Sequence, residues 1–205
     1  MESPKTSHTA AIQHIGRYLS GTREKGMIFK PSEHSFECYV DADFAGTWDP
    51  QRTEFDNKTA RSRTGYVIKY AGCPVIWASK LQTEAALSTT AAEYIALSTA
   101  LREVIPLMYL LLEICDHGLV PEVQQPKIYC KLFEDNKGAL EIAKAPKMRP
   151  QTKYLNTKYH HFCDHVEKGL IKLEGIDTTE QQADVLTKAV NKELFAYFCQ
   201  EIMGW

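Results

Sequence analysis

The longest helical pattern in the sequence, Glu84 to His117, does most to limit what this chain can become. Its small residues Ala86, Thr89, Thr90, Ala96 and Ala100 fall near one stripe, which would let the helix press close against a sheet. Pro106 inside it removes a backbone donor and crowds the preceding turn, so the pattern predicts a kink or two abutting helices. Gly118 supplies a stop.

Strand patterns surround that helix. Apolar and polar residues alternate from Phe36 to Phe44, and Tyr66–Tyr70 and Val75–Ala78 read as short strands split by the turn Ala71-Gly72-Cys73-Pro74. Lys127–Phe133 is β-branched and aromatic, and Leu170–Ile176 is a last strand. Helical spacing covers residues 8–20, ending at Gly21 as C-cap, then Asn136–Lys144, Tyr154–Lys168 and Glu193–Met203. Thr179 with Gln182 makes a capping box that predicts a helix through Lys188. Thr47–Arg63 is a polar loop, and Pro146 and Pro150 bracket another. An antiparallel start followed by crossover connections predicts an α/β fold, a mixed five-stranded sheet with helices on both faces.

Composition bears on partners. The chain has 24 Lys and Arg against 26 Asp and Glu, a net charge of −2, where a stand-alone nucleic-acid binder is usually basic. One basic run offsets this: Lys137, Lys144, Lys147, Arg149, Lys153 and Lys158, opposed only by Glu141, form either a solvated face or a grip on phosphates. The six cysteines are scattered without a Cys-x-x-Cys pair, against a zinc ribbon and in keeping with a reducing compartment. His161 and His165 share a helical face but Cys163 is off it, so that stretch reads as helix surface and not as a zinc site. The opening residues have no apolar signal core, and the apolar stretch Val104–Cys115 is too short to span a bilayer. No membrane partner is expected. Trp77, in a strand pattern, is expected in the core.

Five acids stand where a carboxylate is costly unless it has a task. Asp41 and Asp43 share one face of the first strand, about 7 Å apart. Glu93 lies on the small-residue stripe of the long helix, Asp135 ends the Lys127–Phe133 strand, and Asp184 opens the helix after Thr179. Carboxylates converging from separate elements resist ionising together without a cation, and hard oxygen ligands suit Mg²⁺ or Mn²⁺. Two such ions, about 3.5–4 Å apart, serve phosphodiester hydrolysis. Spacing alone does not choose between Asp41 and Asp43.

The segment Tyr39-Val-Asp-Ala-Asp-Phe-Ala-Gly46 resembles the opening strand of the ribonuclease H domain of copia-type retrotransposon polyproteins. Arg63-Thr-Gly-Tyr-Val67 and Pro74-Val-Ile-Trp-Ala-Ser-Lys80 are similar to its next strands, and Leu87–Leu97 to its catalytic-glutamate helix. Glu134-Asp-Asn-Lys-Gly-Ala-Leu140 matches the third acidic motif and Gln182-Ala-Asp-Val-Leu-Thr-Lys188 the fourth. Residues 8–32, with Arg17-Tyr-Leu-Ser-Gly-Thr22, resemble the stretch that joins reverse transcriptase to this domain.

The resemblance implies a ribonuclease H-like fold over residues 33–190, preceded by a reverse transcriptase stub (1–32) and followed by the polyprotein's C-terminal helix (191–205). It implies catalytic and metal-binding Asp41, Glu93, Asp135 and Asp184 and two Mg²⁺ or Mn²⁺ ions, hydrolysing RNA paired to DNA during retrotransposon reverse transcription. Lys147, Arg149, Lys153 and Lys158 are the expected substrate contacts, and the adjoining reverse transcriptase the expected protein partner. The expected location is the cytoplasm, in a virus-like particle, or the nucleus. Tyr154 and Asn156 replace a histidine and an aspartate frequent in relatives, and the loop Asp177–Glu180 lacks the histidine of cellular relatives. The rival readings are an inactive hybrid-binding or scaffolding domain, kept open by the acidic balance, and a transposase or integrase of the same fold.

Overall fold

Alternation along Phe36–Ala42 puts Phe36, Cys38, Val40 and Ala42 on one side and Tyr39 and Asp41 on the other. In the computed structural model, which describes residues 5–32, 35–53, 55–119, 128–144 and 161–205, this strand (β1) is the middle of a five-stranded sheet. The others are β2 (Arg63–Tyr70), β3 (Cys73–Leu81), β4 (Cys130–Glu134) and β5 (Ile171–Gly175), in the order β3-β2-β1-β4-β5. β1–β2 and β2–β3 pair antiparallel, while β1–β4 and β4–β5 pair parallel. The mixed sheet of the expected ribonuclease H-like architecture is present. Ala71 and Gly72, at φ of 53° and 77°, form the two-residue turn between β2 and β3, the geometry whose twist matches the flanking strands. Pro74 is accommodated because β3 is an edge strand.

The helices are α1 (Thr6–Gly21), the single turn α2 (Pro50–Thr53), α3 (Thr89–Asp116), α4 (Lys137–Lys144), α5 (Cys163–Glu167) and α6 (Lys192–Met203). α3 covers one face: Ala92, Ala96, Ala100, Leu101 and Val104 are buried with Phe36, Cys38, Val40, Tyr66 and Ile68. α6 serves the other face, where Phe198 is buried and the ammonium of the buried Lys69 donates to the Glu201 carbonyl at 2.8 Å. Helices therefore lie on both faces.

Several expectations are corrected. α3 starts at Thr89, with the Ser88 hydroxyl accepting from the Ala91 amide at 3.1 Å, and runs through Pro106 as one element. Pro106 sits on the exposed side, where water can take the hydrogen bond it removes. By length and composition α3 would also pass for a bilayer-crossing helix, but half of its most apolar stretch is buried in the fold. β1 ends at Ala42, because Ala45 turns the chain with φ of 50°. The first helix closes on Thr22, whose amide and hydroxyl both donate to the Tyr18 carbonyl, and not on Gly21. The helix expected over 179–188 is two 3-10 turns, Thr178–Glu180 and Gln182–Leu186. Thr179 spends its hydroxyl on Asp177 (2.7 Å), so no capping box with Gln182 forms. Trp77 is half-exposed on the edge strand and is not core. Of the helix expected over Tyr154–Lys168 only α5 is seen; residues 145–160 lie outside the described residues, as does Lys127.

Residues 24–32, expected within the preceding stub, lie against this fold. The Ile28 amide donates to the Met203 carbonyl (3.0 Å) and the Ser32 amide to the Ala71 carbonyl (2.8 Å). Lys25 stacks its ammonium on Trp205, 3.9 Å from the ring centre.

Candidate active site

The parallel pair β1 and β4 delivers two acids to one edge of the sheet, beyond the carboxyl ends of the strands, where α/β folds commonly place their sites. Asp41 comes from the end of β1 and Asp135 follows the last residue of β4. Glu93 arrives from the second turn of α3, whose buried alanines allow close approach to β1, and the Ala42 amide donates to its carboxylate. Ligand oxygens of Asp41, Glu93 and Asp135 all lie within 4.8 Å of one another, the only such trio of His, Cys, Asp or Glu among the described residues.

Asp184 is brought in by a different device. The Gln182–Leu186 turn lies on β2 at Gly65, the register partner of Asp41. A Cβ at Gly65 would stand 2.7 Å from Thr187 Cγ2 and 2.9 Å from Leu186 Cβ, so only glycine lets the turn settle there. Gln181, fully buried, ties the same turn to β4: its Oε1 accepts from the Ala183 amide and its Nε2 donates to the Phe133 carbonyl. The Thr187 amide (3.1 Å) and the Lys188 amide (2.9 Å) both donate to the Asp184 carbonyl. That fold-back points the Thr187 hydroxyl at Asp41 Oδ2, to which it donates. Lys188 Nζ then lies 2.9 Å from Asp184 Oδ1 and 3.7 Å from Asp41 Oδ1.

Burial and crowding make the ionised forms costly. The Glu93 carboxyl is pushed up to about 10, first by burial and then by Glu134, Asp41 and Asp135. Asp184 is pushed up to about 6 by burial, which outweighs the ion pair with Lys188. Burial also raises Asp41, against the Thr187 hydroxyl and Lys188. Lys188 itself is raised: partial burial works against its charge, but Asp184 and Asp41 prevail. Glu93 Oε2, on a side chain only 4% exposed, has no hydrogen-bond partner. A hard divalent cation fits this donor set, since it would satisfy that oxygen and relieve the mutual repulsion.

Of the expected residues, the fold thus brings Asp41, Glu93 and Asp135 together, with Asp184 joined to Asp41 through Lys188. Asp43 stands apart in role, its carboxylate accepting from the Arg63 amide. Lys147, Arg149, Lys153 and Lys158 lie outside the described residues. Residue patterns alone missed Thr178, whose hydroxyl donates to Asp135 Oδ2 at 2.8 Å, and Glu134, fully buried with one oxygen accepting from the Asn136 amide. They also missed Thr187 and Lys188, although both stand inside the fourth acidic motif.

No family model matches the chain. The chain is 34% identical over 204 residues to the retrovirus-related Pol polyprotein from transposon TNT 1-94 of Nicotiana tabacum, covering 100% of this chain and 14% of that protein. It is 30% identical over 203 residues to the Pol polyprotein from transposon RE1 of Arabidopsis thaliana, covering 98% and 13% respectively. Among solved structures it aligns with LC11-RNase H1, isolated from compost, at a TM-score of 0.48 and 16% identity, covering 75% of this chain and 93% of the other. The chain therefore spans a small part of its curated relatives, 14% of the first. Along its whole length the chain is thus homologous to one segment of copia-type Pol polyproteins from plant transposons.

Proposed function

We propose that this chain is a metal-dependent endoribonuclease that hydrolyses the RNA strand of RNA–DNA hybrids during reverse transcription of a retrotransposon. The observation that carries this reading is the convergence of Asp41, Glu93 and Asp135 within 4.8 Å, at the edge where β1 and β4 end. Its similarity to transposon Pol polyproteins supports this reading, since reverse transcription makes such hybrids. Asp41, Glu93 and Asp135 would hold one ion, with Asp184 and Asp41 offering carboxylates for a second. Mg²⁺ or Mn²⁺, when bound, would supply Lewis acidity at the phosphodiester.

The chain's own residues supply the rest. Thr178 and Thr187 orient Asp135 and Asp41 by hydrogen bonds, and the Ala42 amide orients Glu93. Phe44 and Trp48, exposed on the chain just after β1, would offer rings on which bases can stack. Lys147, Arg149, Lys153 and Lys158 hold phosphates, and the 2′-hydroxyls distinguish RNA from DNA. The adjoining reverse transcriptase adds grip that a net charge of −2 does not supply.

Labelled RNA in a hybrid should be cut with Mg²⁺ or Mn²⁺ and left whole in EDTA. Glu93→Gln and Asp135→Asn should each lose at least about 10²–10³ in rate, as when one preorganised electrostatic group is removed. Asp43→Asn should lose far less, because its carboxylate serves the backbone of Arg63. Full-rate cleavage in EDTA would overturn the reading.

A further inference from the structure

The acid cluster already contains a cation. Lys188 Nζ sits 2.9 Å from Asp184 Oδ1 and 3.7 Å from Asp41 Oδ1. Both acid side chains are 2% exposed, while that of Lys188 is 43% exposed, so the ammonium enters the site from the solvent side. We propose that Lys188 is a resident counter-ion which holds Asp41 and Asp184 together, and that a divalent ion binding between those two carboxylates displaces it. The inference rests on the metal-dependent reading above and adds an asymmetry to it.

Three observations carry the displacement. The backbone commits the lysine to this place, because its own amide closes on the Asp184 carbonyl four residues earlier at 2.9 Å. The side chain is not locked in turn, since a strongly hydrated ammonium on a flexible four-carbon stem with an open flank can swing into water. The direct ion pairs of Lys188 are to Asp41 and Asp184, while Asp135 acts on it only at longer range, so the Asp41–Glu93–Asp135 position is the more open to an incoming ion. An ammonium and a divalent ion within a few ångströms repel strongly in a buried site, so the two cannot share the Asp41–Asp184 gap. One ion position is therefore ready and the other guarded. Lys188 is a positioning residue that sets the affinity of the second ion.

The test is uptake of Mn²⁺ alone by the full 205-residue chain, followed by calorimetry, together with thermal melting in EDTA at about pH 8. Lys188→Met should tighten the weaker of two Mn²⁺ binding events by about tenfold or more, by removing a competing charge. In EDTA the same change should lower the melting temperature by about 2–4 °C, and adding Asp184→Asn should recover much of the loss. Lys188→Arg should keep wild-type behaviour in both measurements, and Lys188→Gln replaces the methionine variant if that one does not fold. A lysine with only a structural role would move the melting temperature but not tighten the second ion. An unchanged or weakened second event in Lys188→Met, while Glu93→Gln abolishes uptake, sinks the displacement alone. If wild-type and Glu93→Gln chains take up Mn²⁺ alike, the metal reading fails and the displacement falls with it.

Discussion

Glu93 is the residue on which the electrostatics of this molecule turn. Its carboxyl is pushed up to about 10 and that of Asp184 to about 6, from ordinary values of 4.5 and 3.8, with burial the first cause in each. A raised carboxyl binds its proton in the folded chain at pH values where the unfolded chain has released it. Its stabilising contribution is whole below the ordinary value and is lost as pH rises through the folded value. In EDTA the melting temperature should therefore fall as pH rises, the Asp184 share fading through about 6 and the Glu93 share continuing toward about 10. Glu93→Gln should flatten the upper part of the curve, and so should Mg²⁺ added to the wild type, because a bound cation does the work of the proton. A wild-type melting temperature that climbs across that range in EDTA contradicts the account. At this scale much was legible in the sequence, since a lone glutamate on a stripe of alanines has few reasons to exist. The spacing left the choice between Asp41 and Asp43 open, because the two-residue period puts both on one face, and only the family resemblance favoured Asp41. The chain decides it by ending β1 at Ala42 and spending the Asp43 carboxylate on an amide.

Among the elements, the 3-10 turn Gln182–Leu186 is the one that depends on a partner strand for its place. Gly65 on β2 makes the room, and an alanine there would press its methyl into Thr187, Leu186 and the Ala183 carbonyl at 2.7–3.0 Å. Gly65→Ala should cost about 1–3 kcal/mol, the usual range for overpacking, and should reduce hybrid cleavage because Asp184 and Lys188 move with the turn. Gly138→Ala is the control. Its methyl would meet the Thr90 side chain at 3.0 Å, which can rotate, so melting should shift less. Equal melting temperatures for Gly65→Ala and wild type would show that the turn adjusts freely. Apolar alternation and turn residues made the strands legible, down to the Ala71-Gly72 hairpin. The 3-10 turns were not, because Thr179 and Gln182 satisfy the capping-box pattern on paper while Asp177 claims the threonine hydroxyl in space. Lys188 was invisible for a related reason: half of its partnership is with Asp41, remote in the chain.

For the molecule as a whole, the N-terminal boundary is a question of which residues are tied down. No residue of α1 is buried, and Tyr18 against Phe195, with ring centres 6.1 Å apart, is its aromatic contact with α6. Ile28 and Ser32, by contrast, hydrogen-bond to Met203 and Ala71. A chain beginning at Met27 should melt within about 2 °C of the full chain, as expected for loss of exposed structure. One beginning at Ser35 should melt several degrees lower, and the reverse order would show that α1, and not the segment holding Ile28 and Ser32, supports the sheet. The position of β1 in the sheet has a further consequence, for folding and breakdown. Its partner on one side, β2, and β3 beyond it follow directly in the chain, but its partner on the other side begins only at Cys130. Until then a newly made chain carries a three-stranded meander whose free rim is β1 itself, with Cys38 and Val40 at its centre. Such late, long-range pairing is slow, and an open apolar rim invites pairing with other chains. A product that stops short of β4, through early termination or proteolytic clipping, should therefore collect in aggregates and not persist as a soluble fragment.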